Sequence, residues 1–299
     1  PALFENRACY RLLSAAVPEP AVPEPAAPEP AAPDPAAPDP ATPEPGLCFT
    51  SARYFDAVNL GHAVAHELAA AWLAGPERAS LAGLPLRAAV GDPCDLRRRS
   101  AITAVTTLTL RRAPGGAASF LLHWRDPARV NHAGGLYQVM PAGIFQPVTD
   151  APAALRSDLS LWRCMVREFS EELLGGSEEY PATPDGVLDY AQWPFYRELT
   201  AARDSGGLRV SYVGLGVDPL TLATDILTVA VFDAAVFDRL FAGLVPRNAE
   251  GRLVTEHGSA AIPFTAATIG RLTGSTGPVQ AAGAALLRLA WQHRRALLG

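Results

Sequence analysis

Arg167-Glu168-Phe169-Ser170-Glu171-Glu172-Leu173-Leu174-Gly175 decides how this chain is read, because it sets three carboxylates close together on one expected helix. Asp158 is expected to cap that helix, DLSLWRCMVREFSEELLGG, and Gly175-Gly176 to stop it. Trp162, Met165, Val166, Phe169 and Leu173 recur at helical spacing and form one apolar stripe. With Trp162 as origin and ~100° per residue, the stripe stays within about 60° of zero, while Glu171, Glu168 and Glu172 fall at about 180°, 240° and 280°. The carboxylates therefore share a flank beside the buried face. Like charges this close raise one another's pKa or weaken the helix unless something positive sits among them. Glutamates at i, i+3 and i+4 can converge on a hard divalent cation such as Mg²⁺, which takes oxygen ligands and also holds phosphate oxygens. The plainer reading is a solvated helix face on which Arg167 and Glu171 make an ordinary i, i+4 pair.

Outward from this helix the period changes. AITAVTTLTLRR, from Ala101, alternates β-branched and small residues, APGG supplies a turn and ASFLLHWRD returns, which predicts a hairpin. NHAGGLYQVMPAGIFQPV is strand-like but broken at Gly134-Gly135 and at Pro141-Ala142-Gly143. Downstream, LRVSYVGLGVDPLTLATDILTVAVFD predicts one or two more strands, the second being TDILTVAVF. Helices are expected over Arg53 to Leu73, ended by Gly75-Pro76, and over residues 234–243 and 278–298. This order predicts an α+β fold, an α/β sandwich with a mixed sheet between helices and extra N- and C-terminal helices.

At this point the segment 167–175 resembles the Nudix box core, Arg-Glu-aliphatic-x-Glu-Glu-x-Gly, in degenerate form: Phe169 replaces an aliphatic residue and the glycine comes one residue late. Pro141-Ala142-Gly143 is similar to the strand-to-loop glycine that opens the box. The likeness covers about 100–235. It implies a Nudix-like mixed sheet and metal-dependent hydrolysis of a nucleoside diphosphate linked to another moiety, with Mg²⁺ or Mn²⁺ activating a water that attacks phosphorus. By the same likeness Glu171 and Glu172 are the principal metal ligands, Glu168 is a ligand or general base, Arg167 orients a glutamate by a salt bridge, and Gly143 lets the loop approach the helix. Two departures stand against it. Gly143 and Arg167 lie 24 residues apart, an insertion of about ten relative to the pattern, and the position of the box's earlier glutamate is Leu159. A catalytically impaired, nucleotide-sensing domain of the same fold, as in transcriptional regulators, is the alternative that these departures imply. A scaffold role for the proline-rich stretch and terminal helices is a third.

The bulk properties bound the rest. Residues 17–45 repeat Pro-acid-Pro-Ala every five residues and hold six carboxylates (Glu19, Glu24, Glu29, Asp34, Asp39, Glu44) without a base, so setting them aside takes the net charge from −5 to +1. A segment with so many fixed φ angles and missing donors is expected to be a stiff spacer rather than a packed unit. The expected division is a partial N-terminal segment (1–16), a linker (17–46) and one domain (47–299), with a core over about 100–235 and helical extensions over 50–100 and 234–299. All 25 basic residues are arginine, which excludes lysine Schiff-base and phosphate-loop lysine chemistry. No basic face supports direct nucleic-acid binding. The most apolar stretch, Val210 to Phe232, is interrupted by Asp218 and Asp225, so no membrane span is expected. No secretory leader is expected either. Cys9, Cys48, Cys94 and Cys164 form no CxxC pair, and reduced thiols in a cytoplasmic protein are the expectation.

Several further residues carry two readings each. His62 and His66 are four apart on a helix, as metal ligands or as surface histidines. Arg97-Arg98-Arg99 is a phosphate contact or a solvated turn. His123 and His132 contact substrate or are structural, and Trp124, Tyr137 and Phe145 stack on a base or belong to the core.

Overall fold

The computed structural model describes residues 5–16, 46–130, 133–176, 180, 183, 187–248, 250–256 and 258–299. The proline repeat and His132 lie outside the described residues. In chain order, β1 (Ala8–Ala16) and β2 (Gly46–Arg53) precede α1 (Phe55–Ala74) and α2 (Pro85–Val90). β3 (Thr103–Arg112), β4 (Ala118–Phe120), β5 (Leu122–Arg125), β6 (Tyr137–Val139) and β7 (Ala142–Ile144) follow, then α3 (Pro152–Ser157), α4 (Leu161–Leu174) and α5 (Pro194–Asp204). β8 (Leu208–Val217), β9 (Thr224–Asp233), α6 (Ala234–Leu240), β10 (Gly251–Leu253), β11 (Ile262–Pro263), α7 (Ala266–Thr273), α8 (Ala281–Gln292) and α9 (Arg294–Leu298) complete the fold.

The main sheet runs β11-β4-β3-β9-β8, with β7 also paired to β3. β3 and β9 are parallel, and the other pairs of this sheet are antiparallel, so the sheet is mixed. Helices cover both faces, as an α+β sandwich requires. β9 is buried along almost its whole length because it is central and covered twice, which is why it reads as a near-continuous apolar run. Alternation along β3 and β9 divides their side chains. Val105, Ala230 and Phe232 join the core under α4, α5 and α6, whereas Leu108, Leu110, Leu227, Val229 and Val231 join the core under α7, α8 and α9. No described helix is long and apolar enough to cross a membrane.

Four local expectations are corrected. Ser160 caps α4, its hydroxyl accepting from the Arg163 amide, and Asp158 instead ends α3. α3 itself fills the inserted stretch before α4. The return strand ASFLLHWRD is split: β4 stays with β3, while β5 passes to a separate sheet, β10-β5-β6. Gly143 lies within β7, in register with Val105, rather than in a loop. Residues 8–16, expected to stand apart, form a strand antiparallel to β2 with Ala16 opposite Gly46. That strand is tied into the domain by Tyr10 N–H to Phe145 O (3.0 Å) and Leu12 N–H to Ala101 O (2.9 Å).

Phe169 is the centre of the core under α4: it is fully buried, with its ring 5.7 Å from both Phe232 and Phe241. Phe169→Ala is expected to cost about 3–5 kcal/mol through lost burial and the cavity left behind. Urea denaturation checks this; a loss below about 1 kcal/mol would mean that the helix is not seated by this ring.

Candidate functional site

α4 presents its glutamates to β7, and the match begins with Gly143. A Cβ at this position would overlap the Glu168 carboxyl group, so the absence of a side chain is what admits Glu168 to the sheet edge. One residue earlier, the Ala142 amide donates to Glu172 Oε1 at 2.9 Å. Glu171 sits on the outer side and accepts from the Tyr180 hydroxyl. Thus the structure brings Glu168, Glu171 and Glu172 together on one flank, each with its own anchor. Among the described residues no group of three acidic, His or Cys side chains is placed to hold a metal ion.

Burial pushes Glu168 well above the usual carboxylate range, and the charges of Glu171 and Glu172 add to it. Burial likewise lifts Glu172 to about 8; Glu250 reinforces this, while the Ala142 amide opposes it. Glu250 thus acts by its charge on both Glu168 and Glu172. It is placed by a turn anchored to the end of α4: Asn248 Nδ2 donates to Glu172 O (3.4 Å), and Asn248 Oδ1 accepts from the amides of Glu250 and Gly251. Arg125 Nη1 donates to Glu250 at 2.8 Å and brings a cation to the rim. Buried carboxylates that repel one another and have hard oxygen donors fit a divalent cation chemically.

Arg167 points away from the glutamates. Its guanidinium donates to Gln146 O (2.6 Å) and to the Tyr190 hydroxyl, with Asp158 Oδ1 at 3.7 Å. Asp158 in turn accepts from Tyr190 (2.8 Å) and from the Val148 amide (2.8 Å). The buried arginine therefore locks α4 to the β7–α3 connection rather than holding one of the three glutamates. The carboxylate it meets lies next to Leu159, the position where the box pattern carries glutamate.

Beside the cluster lies a cavity of about 700 Å³. Its lining includes Ala142, Gly143 and Glu250 at the glutamate end, Tyr54 and Phe55 from the start of α1, and Asp225 on β9. Glu250 and Asp225 escaped sequence reading for different reasons. Glu250 sits in irregular chain far from the box, and no local pattern marks it. Asp225 did leave a signal, a lone charge opening an apolar strand.

The other candidates divide. His62 lines the cavity, but His62 and His66 are exposed and join no metal-ligand group among the described residues. Arg97 pairs with Asp95, Arg98 with the carbonyls of Val90 and Ala89, and Arg99 with Pro93 O and Thr224, so this run ties its loop to the end of α2 and the start of β9. His123 is buried on β5, and burial lowers its pKa. Phe145 packs on Tyr10 and Phe49, and Trp124 lies under Arg252.

No family model matches the chain, and no curated protein matches it at a significant level. Among solved structures it is similar to a Nudix hydrolase from M. smegmatis, RenU, at 15% identity over 66% of this chain and 84% of that chain, with a TM-score of 0.32. A Nudix hydrolase from Alicyclobacillus acidocaldarius matches at 16% identity over 63% of this chain and 90% of that one, with a TM-score of 0.33. The complex between the C-terminal domain of mouse MUTYH and human PCNA matches at 12% identity, over 64% and 89%, with a TM-score of 0.29. Likeness at this level specifies neither substrate nor chemistry.

Burial pushes the Asp225 carboxyl from its ordinary 3.8 up to about 6, against the Thr106 hydrogen bond that lowers it. Because the folded value is the higher one, its contribution to stability is full below about pH 4 and is lost as pH rises through about 6. Asp225→Asn is therefore expected to exceed wild type by about 3 kcal/mol near neutral pH, with the gap closing towards pH ~4. Urea midpoints at the two pH values check this, and a gap independent of pH would contradict it.

Proposed function

We propose that this chain is a Nudix-type, metal-dependent hydrolase of a nucleoside diphosphate linked to another moiety. The observation that supports the reading is the seating of two glutamates of α4 on β7, Glu168 over the bare Cα of Gly143 and Glu172 on the Ala142 amide, across a strand whose other face lines a cavity large enough for such a substrate, which Glu250 also lines. The box resemblance of residues 167–175 assigns to this edge the chemistry that the carboxylates suit.

Glu171 and Glu172 are proposed to hold Mg²⁺ or Mn²⁺, with Glu168 as a further ligand or the general base. When bound, such an ion screens phosphate charge and lowers the pKa of a water. The remaining tasks fall to the chain itself. Glu168 lies against backbone at Gly143, where a proton acceptor is held with little freedom. Arg125 brings positive charge to the phosphate end through Glu250. Arg167, bound to Asp158 and Tyr190, is a positioning residue that sets the rotation of α4 and hence the direction of its acidic flank.

A panel of nucleoside diphosphate derivatives with Mg²⁺ or Mn²⁺ tests this by release of nucleoside monophosphate. Glu171→Gln is expected to lower turnover by at least about 100-fold, the scale on which a charge-stabilising group acts. Equal turnover by wild type and Glu171→Gln sinks the assignment, and thermal stabilisation by nucleotides without any product would point to a sensor. Gly143→Ala should force the buried Glu168 carboxyl group out of its seat on β7 and reduce turnover by about 100-fold through its misplacement. Unchanged turnover in this variant would remove Glu168 from the site.

A further inference from the structure

The cavity reaches beyond the phosphate end, onto the sheet face opposite α4. Asp225, Ala104 and Ile144 stand in one rung across β9, β3 and β7, and residues of one rung share a face. The small Ala104 between them leaves a flat strip of sheet with Asp225 at one side. Tyr54 and Phe55 contribute to the lining from α1.

Two acceptors of this lining are buried, in a wall that also carries Arg99, Arg125 and Arg129. Asp225 is only 5% exposed, and one of its oxygens takes the Thr106 hydroxyl hydrogen at 2.7 Å. Gln138, also lining the cavity and 7% exposed, has an Oε1 atom with no hydrogen-bond partner among the described residues. The buried cation nearby, Arg99, spends its guanidinium on Pro93 O (2.8 Å) and Thr224 Oγ1 (2.9 Å). A buried acceptor without a donor is costly, so a ligand group that fits here supplies donors.

We propose that this cavity is a head-group subsite for a planar ring with two adjacent N–H donors, the 2-amino-4-oxopyrimidine edge shared by guanine and pterins, with Asp225 as its principal acceptor. The proposal rests on the hydrolase reading for the phosphate end and names the head group of that same substrate. Adenine and cytosine place a ring acceptor beside the amino group, which would face the Asp225 carboxylate unfavourably. Hypoxanthine lacks the amino group and forfeits one bond. Selection thus comes from what the acid repels as much as from what it binds.

Calorimetry with Mg²⁺ and ligands that contain no pyrophosphate to cleave (GMP, IMP, AMP and neopterin) tests this on the full chain. Wild type is expected to bind GMP or neopterin at least about tenfold more tightly than IMP and AMP, in keeping with a hydrogen-bonded charged acceptor. Asp225→Asn keeps an oxygen for Thr106 and is expected to lose that preference to within about threefold. The GMP and neopterin arms identify which ring is the source. Equal wild-type affinity for GMP and IMP without tighter neopterin binding, absence of binding by all four, or an unchanged preference in Asp225→Asn would each overturn the subsite. The preference without turnover on any diphosphate substrate would instead defeat the hydrolase reading alone, and turnover without the preference would defeat the subsite alone.

Discussion

The seam between α4 and β7 is the contact around which the acidic flank and the neighbouring cavity are arranged. A helix bearing three glutamates cannot be pressed against a sheet edge unless the sheet offers donors or empty space. β7 offers one of each: the Ala142 amide bonds Glu172, and the bare Cα of Gly143 accommodates Glu168. Burying carboxylates is unfavourable, and the core must offset it. Phe169, on the same helix, buries its ring among Phe232 and Phe241, while Arg167 fastens the helix to Asp158 and Tyr190. The acidic flank is thus held by hydrophobic packing and by a separate buried ion pair, both outside the acidic cluster.

The narrowness of β7 gives the site its two-sided form. Only three residues long, this strand separates the glutamates of α4 from a cavity on the opposite face. Consecutive residues do different jobs because side chains alternate across a strand. Gly143 faces Glu168, whereas Ala142 and Ile144 share the face that carries Asp225. Glu250, held by Asn248 at the end of α4, lines the cavity and also acts electrostatically on Glu168 and Glu172. The two compartments therefore meet around the strand's edge.

Much of this was legible in the chain. The α+β order, the stripe on α4, the Gly175 stop and the strands β3 and β9 all follow from local periodicity and turn chemistry, which is where sequence speaks most directly. Tertiary choices were less visible. Asp158 and Ser160 are both good caps, and the choice went to Ser160 because Asp158 was needed by Tyr190, Val148 and Arg167. ASFLLHWRD reads as one strand, yet its second half leaves for another sheet, which no local pattern records. Residues 8–16 carry a short apolar run that gains meaning only from pairing with β2, across the repeat. Glu250 could be found only by seeing which chain segment returns to the end of α4.

That pairing of Ala16 with Gly46 alters what the proline repeat is for the domain. Its two ends are stapled side by side, so the repeat links neighbouring strands of a single folded unit. The domain therefore fixes only where residues 17–45 begin and end, about one inter-strand spacing (~5 Å) apart, and whole five-residue units can be gained or lost without altering the register of the hairpin that bounds them.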